Sequence, residues 1–339
     1  MKAAVFYAKH DLRVEEVPDI DPREDEVKIK VKFCGVCGTD MHIYNGDDGS
    51  APIVPPLIPG HEFSGTVTTV GSKVKHIKPG DRVTADPNDM CGTCFFCRNG
   101  QANFCQNHIG IGTTAPGAFA EYICTREKQV YKFSDSVSFE EAALSEPLSC
   151  CLHGIDLCKI TPGSTVLIIG GGSIGLLMVQ LAKNAGAARI IVSEPVETKR
   201  KLALKFGADL AIDPLKTDLK NELERVCKNI ETVIECVGNT HTIQQAIQCA
   251  GNGATIMMFG LTGPDEKFAI KPYDIFKREL HLTSSFINPY TMQRAITLIE
   301  NKRIDVKNII TSIVPIDIIT EVFTNVKYKN QGKILIKIS

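Results

Sequence analysis

Two patterns of apolar and polar residues divide the chain. Over roughly the first 150 residues, short apolar runs are separated by Pro, Gly and Asp, which predicts strands at 2–7, 27–33, 62–70 and 120–125. From about residue 150 to 280, strand-like and helix-like runs alternate instead. This second pattern predicts strands at 166–169, 189–193, 232–236 and 254–259, with helices at 174–185, 198–206 and 242–249. We therefore expect a β-rich domain followed by right-handed βαβ units around a parallel sheet.

The C-terminal segment is too short to build a core of its own. After residue 284, the pattern predicts one amphipathic helix at about 290–300 and a final strand at 332–338. We expect both to return and pack on the first domain.

Composition and charge narrow the function classes. The 339 residues carry 38 Lys and Arg against 39 Asp and Glu, a formal net charge of -1, which argues against nucleic-acid or polybasic membrane binding. The longest apolar run, 166–182, contains four glycines and fits a buried strand that leads into a helix better than a membrane span. The first residues lack the apolar stretch of a signal peptide, so we expect a cytoplasmic protein without nucleic-acid or membrane partners.

Four of the thirteen cysteines form a compact motif. Cys91, Cys94, Cys97 and Cys105 lie within fifteen residues, a spacing that suits tetrahedral coordination of a structural zinc ion. An iron–sulfur cluster is an alternative, but the last spacing is seven residues and Gln106, not Pro, follows Cys105. Four buried thiols without a metal are the remaining alternative.

A second set of metal-binding residue types lies upstream. It comprises Cys37 and His42 in one motif and His61 and Glu62 in the next. A thiolate, an imidazole and a carboxylate can hold a catalytic zinc that keeps one position open. By spacing alone the same residues also fit ordinary packed side chains, and Cys34-x-x-Cys37 also fits a redox pair.

A glycine-rich loop joins a predicted strand to a predicted helix. Gly170, Gly172 and Gly175 have the G-x-G-x-x-G spacing that allows a tight turn, close approach to a pyrophosphate and close helix–strand packing. Glu194 follows the next predicted strand, where a carboxylate accepts hydrogen bonds from ribose hydroxyls and repels a 2′-phosphate. The loop therefore predicts NAD rather than NADP; a purely structural glycine turn is the alternative.

Taken in order, these motifs resemble the zinc-dependent medium-chain alcohol dehydrogenases. The order is Cys-Gly-Thr-Asp-x-His, Gly-His-Glu-x-x-Gly, the four-cysteine lobe, Gly-x-Phe-Ala-Glu-Tyr, Glu-Pro-Leu and the glycine loop, and it spans residues 2–338. Within this superfamily the chain is similar to the polyol (sorbitol and xylitol) dehydrogenases, with threonine dehydrogenases close behind. The resemblance implies an α/β protein with a GroES-like β-rich catalytic domain at 1–150 and 287–339. It also implies a doubly wound, Rossmann-type NAD-binding domain at 151–286, and a homo-oligomer, with a tetramer favoured.

The resemblance also assigns site residues. The family's catalytic zinc ligands, or a carboxylate that exchanges at the metal, are matched by Cys37, His61, Glu62 and Glu146. The family's proton relay is matched by Thr39 and His42. Two zinc ions per chain are implied, the second in the four-cysteine lobe. Beyond the three loop glycines, the positions implied to contact NAD are Ile174, Glu194, Lys199, Val237, Gly238, Phe259, Gly260, Leu261, Ser285 and Phe286.

The implied activity is reversible oxidation of a secondary alcohol, a polyol, to the ketone by hydride transfer to NAD. Animal-type polyol dehydrogenases grip the substrate with an Arg-Tyr pair where this chain reads Phe286-Ile287-Asn288-Pro289. The Asp-Pro of threonine dehydrogenases is Glu146-Pro147 here, as in the polyol branch. L-Threonine 3-dehydrogenase and 2,3-butanediol-type dehydrogenase remain alternatives. A non-catalytic zinc- and nucleotide-binding redox sensor is the alternative from another class, and a zinc-free reductase would lack these ligands.

Overall fold

The structure is a computed structural model that describes residues 1–47, 52–329 and 331–339. The chain divides into two compact units. Unit 1 comprises Met1–Ser149, Asn288–Lys302 and Val306–Ser339, and unit 2 comprises Cys150–Ile287 and Arg303–Asp305. The C-terminal segment thus belongs to the unit formed by the β-rich N-terminal region.

Strands and helices alternate along the described residues as follows. The strands are β1 (Lys2–Ala8), β2 (Asp11–Glu16), β3 (Glu26–Gly35), β4 (Glu62–Val70), β5 (Arg82–Ala85), β6 (Asn88–Asp89), β7 (Ile109–Gly110), β8 (Tyr122–Arg126), β9 (Val130–Lys132), β10 (Thr165–Ile169), β11 (Arg189–Ser193), β12 (Leu210–Ile212), β13 (Thr232–Glu235), β14 (Thr255–Met258), β15 (His281–Ser284), β16 (Ile310–Pro315) and β17 (Lys333–Lys337). The α-helices are α1 (Gly38–Tyr44), α2 (Phe95–Arg98), α3 (Phe139–Ala143), α4 (Ser145–Cys158), α5 (Ser173–Asn184), α6 (Glu197–Lys205), α7 (Leu219–Val226), α8 (Thr240–Cys249), α9 (Pro272–Arg278), α10 (Met292–Glu300), α11 (Ile319–Thr324) and α12 (Val326–Lys329). Short 3-10 turns occur at Ala102–Phe104, Glu127–Gln129, Lys307–Ile309 and Ile316–Ile318.

Unit 2 is built on a six-stranded sheet in the order β12-β11-β10-β13-β14-β15, in which every neighbouring pair is parallel. The central strands β10 and β13 are largely apolar because both faces are covered; Leu167, Ile168 and Val233, for example, are fully buried. Parallel strands present their carboxyl ends at one edge of the sheet, where ligands of open α/β sheets bind. The predicted α/β class and parallel sheet are confirmed. The strands β12 and β15 and the helices α7 and α9 were not predicted from the sequence.

Unit 1 contains a seven-stranded sheet with the path β16-β17-β3-β4-β5-β9, and β8 also pairs with β3. Its core includes the fully buried side chains of Ile29, Phe63 and Phe119. Because β3 is antiparallel to both β4 and β17, the end of β3 lies beside the beginnings of its two neighbours. Residues near Gly35, Glu62 and Lys333 therefore meet at one edge of this sheet.

A small ribbon carries the four-cysteine lobe. Strand β6 pairs antiparallel with β7, with Asn88 opposite Gly110 and Asp89 opposite Ile109. Cys91 follows the first strand of the ribbon and Cys105 precedes the second. The ribbon thus joins both ends of the lobe to the body of unit 1. Among the helices that the structure describes, none combines the length and apolarity needed to cross a membrane.

Candidate metal and nucleotide sites

Cys37, His61 and Glu62 form a cluster in unit 1. One ligand atom from each residue lies within 4.8 Å of the others. Cys37 is the N-cap of α1, and Glu62 is the first residue of β4, opposite Gly35 in the register. A Cβ atom at position 35 would lie 2.1 Å from Glu62 Oε2, so a side chain there would displace this carboxylate. Sulfur, imidazole nitrogen and carboxylate oxygen are a donor set that fits zinc.

Lys333 holds the carboxylate of this cluster. Its Nζ donates to both oxygens of Glu62, at 2.7 and 2.5 Å, and to the carbonyl oxygen of Val36 at 3.0 Å. Burial alone would lower the pKa of Lys333, but the negative charges of Glu62 and Cys37 raise it, so the lysine is charged. A metal that used Glu62 would have to compete with this buried ion pair. The sequence analysis missed Lys333, whose only local signal was a lysine at the start of an apolar strand.

Asp40 lies behind His61 and was also missed. Its carboxylate is buried and accepts hydrogen bonds from the backbone N–H groups of Cys37, at 2.8 Å, and Gly60, at 3.3 Å. His61 Nδ1 is buried, has no hydrogen-bond partner among the described residues and lies 3.8 Å from Asp40 Oδ1. Burial lowers the pKa of His61, but the charge of Asp40 and the thiol of Cys37 outweigh burial and raise it well above the usual value. Asp40 therefore acts on the imidazole through its nearby negative charge, without a direct hydrogen bond.

The remaining residues predicted for this site lie in the same unit, on α1 and α4. Glu146 is buried in the first turn of α4, outside the three-residue cluster, and its charge contributes to the raised pKa values of His61 and Lys333. The Thr39 hydroxyl lies 3.8 Å from the sulfur of Cys37, within hydrogen-bonding distance for sulfur. His42 is half-buried on α1, with Nδ1 3.6 Å from Asp47 Oδ2.

The four cysteines of the lobe converge. The sulfur atoms of Cys91, Cys94, Cys97 and Cys105 lie within 4.8 Å of one another, and all four are free of disulfide bonds. Backbone N–H groups of Cys91 and Cys94 point at the sulfurs of Cys105 and Cys91, at 3.3 and 3.4 Å. Hydrogen bonds from the backbone and hydroxyl of Thr93 lower the pKa of Cys91, which favours the thiolate that metals require. The geometry fits a closed four-thiolate zinc site.

The glycine loop of unit 2 has different requirements at each position. Gly170 has φ +100°, which a residue with a side chain rarely adopts. At Gly172, the N-cap of α5, a Cβ would meet nothing within 4 Å, so the loop is open on that side. At Gly175 a Cβ would lie 1.8 Å from the carbonyl oxygen of Gly170, so only glycine fits. Ile174 is half-buried in the first turn of α5. An open backbone at a helix N-terminus fits a pyrophosphate.

Glu194 is buried beside the glycine loop. Its Oε2 accepts the backbone N–H of Gly171 at 2.7 Å and its Oε1 that of Val196 at 2.8 Å. Arg200 is engaged nearby: Nη1 donates to the carbonyl oxygens of Glu194 and Pro195, and Nη2 lies 3.2 Å from Asp213. The guanidinium is therefore committed to protein acceptors. Lys199 is half-buried on α6.

The other predicted NAD contacts lie at the carboxyl ends of β13, β14 and β15. They are Val237 and Gly238, then Phe259, Gly260 and Leu261, then Ser285 and Phe286. Glu235, which the sequence analysis missed, is fully buried and organises the first of these turns: its Oε1 accepts the N–H groups of Val237 and Gly238 and the hydroxyl of Thr242. The backbones of the first two turns touch, since a Cβ on Gly260 would lie 2.2 Å from Gly238 N.

Comparison with known proteins identifies the family. Residues 23–135 match the alcohol dehydrogenase GroES-like domain, and residues 173–301 match the zinc-binding dehydrogenase domain. D-Arabinitol dehydrogenase 1 of Uromyces fabae is 33% identical over 98% of this chain and 96% of its own. Sorbitol dehydrogenase of Bacillus subtilis (strain 168) is 35% identical over 92% of this chain and 89% of its own. A structure described as a zinc-binding dehydrogenase from Sinorhizobium meliloti 1021, bound to NADP, superposes with a TM-score of 0.94, 39% identity and 99% coverage of both chains.

The chain therefore belongs to the alcohol dehydrogenase family of zinc-binding dehydrogenases and is an oxidoreductase. The predicted family, its GroES-like and nucleotide-binding domain types, and the enzyme class are confirmed.

Proposed function

We propose that this enzyme oxidises a secondary hydroxyl of a polyol to a ketone, transferring hydride to NAD+ and releasing one proton. The observation that carries the proposal is the cluster of Cys37, His61 and Glu62 within 4.8 Å, in a chain that belongs to the zinc-binding dehydrogenases. The polyol is supported by the names of two relatives, a D-arabinitol and a sorbitol dehydrogenase. NAD is assigned to residues 151–286, and substrate and zinc to residues 1–150 and 287–339.

Cys37 and His61 are the two constant ligands of the proposed catalytic zinc, which would supply Lewis acidity toward the alcohol oxygen. A third ligand comes from Glu146 or Glu62. Because Lys333 already binds both oxygens of Glu62, we assign Glu146 as the resting ligand and Glu62 as the exchanging one. Asp40 places a negative charge 3.8 Å from Nδ1 of His61.

Thr39 and His42 are the proposed proton carriers. The Thr39 hydroxyl, close to the Cys37 sulfur, accepts the proton of the substrate hydroxyl as it gives up its own. His42, which is partly exposed, completes the relay by releasing one proton to solvent. Cys91, Cys94, Cys97 and Cys105 hold a second, structural zinc. Two zinc ions per chain follow from these assignments.

We propose NAD rather than NADP as the cofactor. Glu194 places a buried carboxylate beside the glycine loop, and Arg200 is already bound to carbonyl oxygens and Asp213. A 2′-phosphate would meet a negative charge without a guanidinium to offset it. The ratio of kcat/KM for NAD+ to that for NADP+ should be at least about tenfold, and Glu194→Ser should reduce it by about tenfold. Glu197 is an exposed acid nearby on α6. Glu197→Ser is therefore the control and should not change the NAD+ to NADP+ ratio of kcat/KM.

The function is tested by NADH formation with a panel of alcohols. Sorbitol, xylitol, galactitol, arabinitols and inositols are compared with 2,3-butanediol and L-threonine. We expect turnover with at least one polyol. The Cys37→Ser variant should lose both this turnover and one bound zinc ion. Cys124 is a half-buried cysteine outside both clusters. Cys124→Ser is therefore the control and should keep its turnover and its full zinc content. Turnover of L-threonine or 2,3-butanediol alone would replace the polyol assignment, and full activity in Cys37→Ser would refute the site.

We also propose that the enzyme is a homo-oligomer, a tetramer by family resemblance. Support comes from two exposed aromatic side chains on α9 of unit 2, Tyr273 and Phe276, of which Phe276 is 81% exposed. Sedimentation analysis should give a mass above 37.0 kDa, and Phe276→Asp should weaken assembly. A monomer at micromolar concentration would refute this proposal.

A further inference from the structure

Asn288 is fully buried. It lies in the segment where animal-type polyol dehydrogenases have an Arg-Tyr pair that binds the substrate, a pair that this chain lacks. Its Nδ2 donates to Ser149 Oγ at 2.6 Å, and its Oδ1 accepts from Asn88 Nδ2 at 2.5 Å. A buried amide is costly unless both of its ends are paired, and these two partners lie 139 and 200 residues away along the chain. The preceding residue, Ile287, has φ +50°, a conformation that costs energy for a β-branched side chain. The segment is therefore held in place by its surroundings.

One end of the hydrogen-bonded path reaches Glu146. Ser149 is fully buried on α4, and its hydroxyl donates to the carbonyl oxygen of Glu146 at 2.6 Å. The hydroxyl of Thr291 donates to the carbonyl oxygen of Ser149 at 2.7 Å. Because Ser149 Oγ accepts from Asn288 while donating to Glu146, the orientation of its hydroxyl group is fixed. The first turn of α4, which carries the Glu146 side chain, is therefore anchored from the Asn288 segment.

The other end reaches the four-cysteine lobe. Asn88 begins β6, three residues before Cys91, and His108 lies three residues after Cys105. Asn88 Nδ2 is a donor to Asn288, so its Oδ1 is the acceptor and receives the Nε2–H of His108 at 2.8 Å. Burial lowers the pKa of His108, which keeps the ring neutral near pH 7. The first two members of the path thus lie at the two strands that frame the lobe, Asn88 on β6 and His108 directly before β7.

We propose that the path His108–Asn88–Asn288–Ser149 couples the four-cysteine lobe to Glu146, and that Asn288 is a positioning residue for the catalytic zinc site. This inference rests on the proposed function, since it requires Glu146 to face that metal. A closed lobe keeps the ribbon ends in register, so Asn88 and His108 keep their positions. Asn288 and Ser149 then transmit that position to the helix turn that presents the carboxylate. Residues behind metal ligands typically change metal affinity by about 10–100-fold when removed.

Zinc affinity at the Cys37 site tests the proposal without relying on turnover. Zinc is titrated against a colorimetric chelator, with total zinc counted in parallel. We expect Asn288→Leu and Ser149→Ala to weaken the more exchangeable zinc by about 10–100-fold while the lobe keeps its own ion. Ser149→Thr, which retains the hydroxyl, should restore wild-type affinity. Thr125→Val is the control: it removes a buried hydrogen bond to Gln129 in the same unit and should leave zinc affinity unchanged.

Two further variants locate the coupling. If Asn288 acts through Glu146, Asn288→Leu should add less than about threefold to the affinity loss caused by Glu146→Gln. If the lobe is coupled, His108→Phe should weaken the Cys37-site zinc at least threefold. Additive losses in the first case, or an unchanged affinity in the second, would overturn the proposal. Should Asn288→Leu fail to fold, Ser149→Ala against Ser149→Thr gives the same decision. A wild-type chain that binds zinc only in the lobe would refute the proposed function itself, and this inference with it.

Discussion

Replacing Lys333 by methionine should strongly destabilise unit 1. Lys333 and Glu62 are 3% and 1% exposed, and two hydrogen bonds join them. Lys333→Met fills similar volume but leaves the carboxylate buried without its cation. Breaking a buried ion pair by removing one partner costs about 3–5 kcal/mol. For a folding unit of this size, each kcal/mol corresponds to about 2–4 °C, so the melting temperature of the metal-free protein should fall by on the order of 10 °C.

The measurement is thermal and urea unfolding with and without zinc. In Lys333→Met, Glu62 is released toward the metal, so added zinc should raise the melting temperature more than it does in the wild type. Lys333→Met combined with Glu62→Gln removes the buried charge and should recover most of the lost stability. Lys2→Met, which breaks the exposed pair with Asp317, is the matched control and should cost less than about 1 kcal/mol.

Two results would refute this reasoning. A Lys333→Met variant within 1 kcal/mol of the wild type would mean that Glu62 does not depend on the lysine. Equal zinc stabilisation in both proteins would mean that the freed carboxylate does not reach the metal, and the assignment of Glu62 as an exchanging ligand would be wrong.

Three shorter predictions follow from individual contacts. Burial raises the pKa of Asp86 from 3.8 to about 6. Ionisation of Asp86 should therefore lower the free energy of unfolding by up to about 3 kcal/mol as the pH rises from 4 to 7. Asp86→Asn should remove this pH dependence in urea unfolding. Gly175→Ala should lower NAD+ affinity at least tenfold, measured by calorimetry, because its Cβ would clash with the carbonyl oxygen of Gly170; unchanged affinity would contradict the loop geometry. Cys94→Ser should release one zinc ion and lower the melting temperature; two retained zinc ions would contradict the lobe assignment.

The sequence predicted features that depend on local spacing. The four cysteines lie within fifteen residues, and the glycine loop, strand and helix follow one another directly, so short-range patterns reveal them. The strand–helix alternation of unit 2 was predictable for the same reason, because each element carries its own periodicity.

Contacts between distant segments could not be predicted in this way. Lys333 and Glu62 are 271 residues apart, and they meet because β17 and β4 flank the same end of β3. Asn288 attracted attention only as a departure from a family pattern, and its partner Ser149 lies in another segment. Glu235 follows an apolar strand, where an acid is as easily exposed as buried, and only the structure shows it accepting N–H groups of the next turn.

Stepwise removal of zinc distinguishes the two proposed metal sites. The purified enzyme is titrated with a chelator while bound zinc, NADH formation and the folded fraction are measured on the same samples. We predict two zinc ions per chain, with activity lost in proportion to the first ion released and unfolding only with the second. Full activity after the first ion has left, or one zinc ion per active chain, would contradict this prediction.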